Sequence, residues 1–224
     1  VAIGWDALYA NNGNYNNALG REALQQNTTG GSNNAFGFRA LEENTTASNN
    51  SAFGHEALTA NTTGNNNTAL GYNAQIGRTG GNDNTAVGAY CMNSTATGDS
   101  NTGLGKSALH DLTSGVTNVA VGINAMFGMT TGDHNVAIGA QALEDNTTGT
   151  GNVAVGYDAC RLSTTADYNT GLGFYALRAN QTGVSNVAVG YRALRYNTSD
   201  ENVAVGYEAA LSITTADQCV AIGK

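Results

Sequence analysis

One glycine recurs at nearly constant spacing along the whole chain: Gly4, Gly20, Gly37, Gly54, Gly71, Gly88, Gly105, Gly122, Gly139, Gly156, Gly173, Gly190, Gly206 and Gly223. The interval is 17 residues, except for 16 between Gly4 and Gly20 and between Gly190 and Gly206. A short fixed period confines a chain to repeat architectures, in which each unit packs on its neighbours around a thin continuous core. Residues 1–224 therefore read as a single repeat array of about 13 coils with no separate second domain.

Taking the glycine as position 0, position −1 is always large and apolar, as at Ile3, Phe53, Leu104 and Val189. Position −2 is Ala everywhere except Gly103 and Gly171. Position −3 mixes Val with Thr, Ser and Asn. Alternation over three residues reads as one short strand per coil. The −1 side chains are expected to face a core, and the small −2 residue to sit under a close neighbour. Position −4 is Asn from Asn16 onward, including Asn118, Asn135, Asn152, Asn169, Asn186 and Asn202, until Cys219 replaces it. Stacked amides can bond along a parallel, in-register ladder, and Asn tolerates the left-handed conformation of a corner. A structural Asn ladder is the expectation.

After the glycine comes x-x-Ala-Leu, as at Glu56-Ala57-Leu58, and then often Asn-Thr-Thr-Gly, as at Asn61 to Gly64. Good helix formers at this point suggest a single helical turn, with a second short strand as the alternative; both bury Ala and Leu. Strands stacked at about 4.8 Å per coil make thirteen intervals roughly 60 Å long. The expected fold is an all-β parallel β-solenoid or β-roll of ~17-residue coils with one-turn helices, trimeric or filamentous. The chain contains 30 Gly and no Pro, and only 12% of its residues are charged, which alone could describe a disordered tract. The apolar slots held in phase for fourteen motifs argue against that.

Repeats such as Asn186-Val-Ala-Val-Gly-Tyr-Arg-Ala-Leu resemble the Asn-x-Val-Ala-Ile-Gly-type repeats of trimeric autotransporter adhesin heads. They are also similar to repeats in phage tail-fibre and other surface-fibre proteins. The resemblance covers the whole chain and implies a parallel β-roll that trimerises about a fibre axis, displayed outside the cell or on a virion. Adhesin heads of that kind have shorter repeats and no Asn-Thr-Thr-Gly segment. The motif stays in phase to both ends, as a segment of a longer array or a processed product would.

No catalytic constellation emerges from the residues. Cys91, Cys160 and Cys219 fill ordinary repeat slots four coils apart, too far for a disulfide within one chain. His55, His110 and His134 occupy different offsets and do not converge on a metal. No carboxylate pair recurs, no dinucleotide fingerprint opens a helix, and the calcium-binding Gly-Gly-x-Gly-x-Asp pattern is missing. Sequons such as those at Asn27 and Asn146 follow from the repeat itself. No cofactor or metal is expected.

Position +1 carries aromatics at Trp5, Phe38, Tyr72, Tyr157, Phe174, Tyr191 and Tyr207. The four coils from Tyr157 to Tyr207 would stack a stripe, suited to cross-coil packing or to a glycan or protein partner. A net charge of −8 argues against nucleic acid, and no apolar run reaches the length of a membrane span. These features point to a non-enzymatic extracellular fibre segment, a homo-oligomeric trimer or head-to-tail filament. It would serve attachment to a host glycan or protein. A self-assembling filament subunit is the alternative. An ice-binding solenoid and a polysaccharide-degrading tail spike fit less well, because the Thr pairs are adjacent and acid pairs are missing.

Overall fold

The computed structural model describes Val1–Lys224 as two compact units, Val1–Ser114 and Gly115–Lys224. The chain is an all-β parallel β-solenoid. Unit 1 holds β1 (Ala2–Ile3), β2 (Asn17–Leu19), β3 (Asn34–Phe36), β4 (Ser51–Phe53), β5 (Thr68–Leu70), β6 (Thr85–Val87) and β7 (Thr102–Leu104). Unit 2 holds β8 (Val119–Val121), β9 (Val136–Ile138), β10 (Val153–Val155), β11 (Thr170–Leu172), β12 (Val187–Val189), β13 (Val203–Val205) and β14 (Val220–Ile222). Within each unit every strand pairs in parallel with the next in sequence, one coil apart, as Ala35 does with Ala52 and Ala154 with Gly171. The 16-residue coils keep register too: Ala2 pairs with Ala18, and Val187 with Val203.

The glycine that sets the period is required twice over. Gly37 has φ +145° and Gly54 φ +146°, in a region that residues with a Cβ rarely enter. A Cβ on Gly37 would also fall on the Gly54 carbonyl oxygen of the next coil. The same close approach recurs from coil to coil within each unit.

The segment after the glycine is neither a helical turn nor a strand. In the coil beginning at Gly37, Ala40 N–H donates to Gly37 C=O (3.4 Å), Glu42 to Arg39 (3.2 Å) and Asn44 to Leu41 (3.2 Å). Arg39 (φ 54°) and Leu41 (φ 53°) sit third in the first two turns, the position where type II turns demand positive φ. The intervening amides reach outward: Leu41 N–H donates to Ala57 C=O (3.0 Å) and Glu43 to Thr59 (2.9 Å), both in the next coil. A helical turn would keep those donors inside the segment, so bonding between coils excludes it. Left-handed φ is costly for Leu, and here it is held by those bonds and by burial of the side chain.

The inside and outside of the strand are the reverse of the expected arrangement. The −2 alanines, such as Ala35, Ala69, Ala120 and Ala188, are fully buried. The −1 residues are on the outside, with Leu70 48% and Ile138 42% exposed. The coil is narrow, and Ala57-Leu58-type residues arriving from the turn fill its centre, leaving room for only a methyl on the strand. A second correction concerns the corner. Positive φ falls at position −5, as at Ser32, Asn49 and His134, and not at the −4 Asn, whose side chain turns inward.

The two glycines at −2 also have a cause. A Cβ on Gly103 would lie 2.6 Å from Cys91 Sγ, and one on Gly171 2.6 Å from Cys160 Sγ. Each sulfur occupies the space that an Ala methyl fills elsewhere. Gly103→Ala alone is expected to destabilise the protein by about 1–3 kcal/mol through overpacking. Adding Cys91→Ala should recover most of that loss, and a urea-unfolding double-mutant cycle with no coupling would refute the pairing.

The interior is partly polar. Within each unit, the backbone N–H at −4 donates to the amide oxygen of the preceding −4 Asn, as from Asn152 to Asn135 Oδ1 (2.9 Å) and Asn169 to Asn152 Oδ1 (2.9 Å). A second buried Asn column stands at +7, with Asn27, Asn44 and Asn61 in unit 1 and Asn146, Asn180 and Asn197 in unit 2. The two columns converge: Ala47 C=O accepts from Asn33 Nδ2 (2.8 Å) and Asn44 Nδ2 (3.0 Å). Gly183 C=O likewise accepts from Asn169 and Asn180, both at 2.8 Å. Asn152→Asp places an acceptor-only carboxylate opposite Ala166 C=O, which now receives the Asn152 amide at 2.7 Å. A loss of about 3 kcal/mol or more at neutral pH, easing as the carboxyl protonates in acid, is the expected result in urea titrations.

Candidate functional site

Because bonding between coils uses the interior and most of the backbone, the surface available to a partner is the outer face of the strands and the residue just after the glycine. The −1 column of unit 1 exposes Ile3, Leu19, Phe53, Leu70 and Leu104; that of unit 2 exposes Ile138, Leu172, Val205 and Ile222. Phe36 and Phe53 stack at 4.9 Å between ring centroids. Beside this apolar column runs position +1.

In unit 2 the +1 rings form a stacked ladder. Centroid separations are 5.1 Å for Tyr157–Phe174, 5.8 Å for Phe174–Tyr191 and 5.1 Å for Tyr191–Tyr207. Lys224 lies over Tyr207 at 5.8 Å and Arg192 over Tyr191 at 4.8 Å. Unit 1 has its own ladder, which the aromatic count alone understates. Arg21 stands between Trp5 (5.6 Å) and Phe38 (5.3 Å), and His55 between Phe38 (5.0 Å) and Tyr72 (5.1 Å). Guanidinium and imidazole rings are planar and stack on aromatics, so Arg21 and His55 continue the column instead of interrupting it. Position +2 contributes Tyr90, edge-on to Tyr72 at 5.4 Å, and Tyr175, edge-on to Phe174 at 4.3 Å and Tyr157 at 5.8 Å. Reading position +2 beside position +1 would have found these two residues.

The Asn ladder is not part of this surface. Asn118, Asn135, Asn152, Asn169, Asn186 and Asn202 are fully buried. So are the sequon residues Asn27 and Asn146; Asn27 Nδ2 donates to Gly30 C=O (2.9 Å) and Asn146 Oδ1 accepts from Gly149 N–H (2.9 Å).

Charged side chains pair across coils. Arg39 bonds Glu22 (2.7 Å) and approaches Glu42 (3.6 Å); the Arg39 hydrogen bond leads in holding the Glu22 carboxyl below its ordinary range. In unit 2, Arg161 meets Glu144 (2.6 Å), and Arg178 meets the buried Asp158 (2.9 Å). These carboxylates face arginines instead of one another. His110 Nδ1 is 2.6 Å from Asp111 Oδ1, and no three His, Cys, Asp or Glu side chains are grouped to hold a metal ion. No helix is long and apolar enough to cross a membrane.

No protein-family model matches the chain, and no curated protein matches it. The functional reading therefore stands on the geometry and on the repeat itself.

Burial separates the three cysteines. Cys91 and Cys160 are fully buried, and burial pushes both thiols up to about 12, whereas Cys219 is half-buried. The thiolate is the reactive form, so the two core thiols are inert at neutral pH. Titration with a chromogenic disulfide reagent should count one thiol in the native protein and three in denaturant. Three fast thiols in the native state would contradict the coil assignment.

Proposed function

We propose that the chain is a segment of an extracellular fibre whose role is structural and adhesive, and that copies associate laterally through their strand faces. The observation that carries this reading is the exposed apolar −1 column on the outer face of the strands. Large contiguous apolar patches on soluble proteins mark interaction surfaces. A column that places Leu19, Phe53, Leu70 and Leu104 on one face of unit 1, without covering side chains, is such a patch. The resemblance of the repeat to fibre-head repeats supports a three-fold arrangement about the fibre axis.

The contact between copies uses position −1 and not −2. The −2 methyls are enclosed by their own coil, so the small residue there serves packing within the chain. Close stacking of coils supplies stiffness, because bending would have to stretch several hydrogen bonds per coil.

Analytical ultracentrifugation of the purified chain is expected to give a trimer. Leu70→Glu combined with Leu172→Glu should weaken association about tenfold or more while leaving the far-ultraviolet circular dichroism unchanged. A monomer at high micromolar concentration would overturn lateral assembly. Long head-to-tail polymers would replace the trimer with a filament subunit.

A further inference from the structure

In unit 2 one register governs the contacts between positions +2 and +5. The side chain at +2 meets +5 of its own coil and +5 of the next. Asp158 accepts from Arg178 in the next coil at 2.9 Å and stands 3.6 Å from Arg161 in its own. Glu144 accepts amide N–H groups from Gln141 in its own coil (2.9 Å) and from Asn124 in the coil before (3.2 Å). One coil on from Asp158 the +2 residue is Tyr175, whose ring stands where the carboxylate stood. Arg178 of the same coil lies over that ring at 5.3 Å, and Arg195 of the next coil at 4.9 Å. The register that gives Arg161 and Arg178 a carboxylate therefore gives Arg195 a phenol.

No other neighbour in the register offers Arg195 a negative charge. The +2 residue of its own coil is Arg192, a second cation, which is held by Glu208 of the following coil at 3.0 Å. The +5 residues of the adjoining coils are Arg178 and Leu211. Arg195 Nε is buried without a hydrogen-bond partner, and so is Arg192 Nε; Arg195 Nη1 and Nη2 are unbonded and not enclosed. The contacts of the Arg195 guanidinium are the rings of Tyr175 and of Tyr196, the latter at 4.8 Å and 42% exposed. This coil thus sets two guanidinium groups against one carboxylate, within a chain of net charge −8.

We propose that Arg195, with Arg192 as its companion in the coil, binds the carboxylate of an acidic sugar. A guanidinium presents N–H donors in a fork that matches a carboxylate, so the ligand would complete the pairing that Arg161 and Arg178 find within the chain. Tyr175 and Tyr196 hold the guanidinium and set aromatic surface beside the bound carboxylate. Such surface suits the C–H groups of a pyranose. A net negative chain repels anions in general, which confines their recognition to the coil whose positive charge is left over. The proposal rests on the adhesive part of the reading above and gives it a ligand class.

The test is saturation-transfer NMR on the assembled protein with methyl glucuronoside and N-acetylneuraminic acid at millimolar concentration. Methyl glucoside serves as the neutral sugar, acetate as the bare anion and an acetylated Glu-Glu amide as an acidic peptide. At least one acidic sugar should receive saturation and shift the Arg195 Nε–H resonance, and methyl glucoside should do neither. Arg195→Gln should weaken binding about tenfold. Tyr175→Asp places a carboxylate where the register otherwise lacks one, and should abolish binding without loss of thermal stability. The proposal is overturned if neither acidic sugar binds, if methyl glucoside or acetate binds as well as they do, or if the peptide binds more tightly. Unchanged binding in Tyr175→Asp would overturn it as well. The sedimentation mass of the same samples reports on fibre assembly separately, so failure of the sugar site and failure of the fibre reading are distinguishable.

Discussion

The structure depends on the hydrogen bond from one coil to the next. A 17-residue coil has too little side-chain volume to stabilise itself, and its backbone polar groups must find partners outside the strand triplets. Both needs are met when adjacent coils lie a β-spacing apart over nearly the whole circuit, turns included. That distance rules out a Cβ where the Gly37 and Gly54 backbones face each other, and it draws Leu41 and its equivalents into left-handed φ. The glycine period is the trace that this constraint leaves in the sequence.

The same constraint explains a core that is partly amide. Where the chain turns from the Thr-Thr-Gly segment toward the strand, carbonyls such as Ala47 and Gly183 point inward, and burial without a partner would cost about 1–3 kcal/mol each. Two Asn side chains converge on each of these two carbonyls, and the −4 amides also bond along their own column. Not every +7 slot holds Asn: Leu112, Met129 and Ser163 fill it in other coils, and Arg78 shows what a poor fit costs. Arg78 takes the +7 place of Asn, is fully buried, and has its guanidinium pushed down to about 10 by burial. Its Nη2 donates to Gly98 C=O, while Nε and Nη1 lack partners, as do Gln75 Oε1 and Asn93 Oδ1 nearby in sequence. An Asn amide fits the slot; a guanidinium does not.

Much of this was legible from the residues. Period, strand position, parallel stacking and the −4 Asn column all follow from spacing and side-chain type. The orientation of the strand did not. A large apolar residue alternating with Ala looks like a core position beside a surface one, and only the width of the coil reverses the assignment. Helical propensity in Glu-Ala-Leu misled for a related reason: local preference is worth tenths of a kcal/mol per residue, less than the bonds to the next coil. The Cys91–Gly103 and Cys160–Gly171 pairings were in the sequence as two departures from consensus in neighbouring coils. Contact geometry was needed to join them.

The outer face follows from the same logic at one remove. A column repeated every 4.8 Å places identical side chains at stacking distance, so aromatics at +1 satisfy their faces on one another before any partner arrives. Repetition makes a stiff ladder whose ring edges stay exposed, as at Phe174 and Tyr207. The apolar −1 column differs: apart from the Phe36–Phe53 stack its residues are aliphatic, with no ring face to close, and Leu70, Leu104, Ile138 and Leu172 remain exposed sideways.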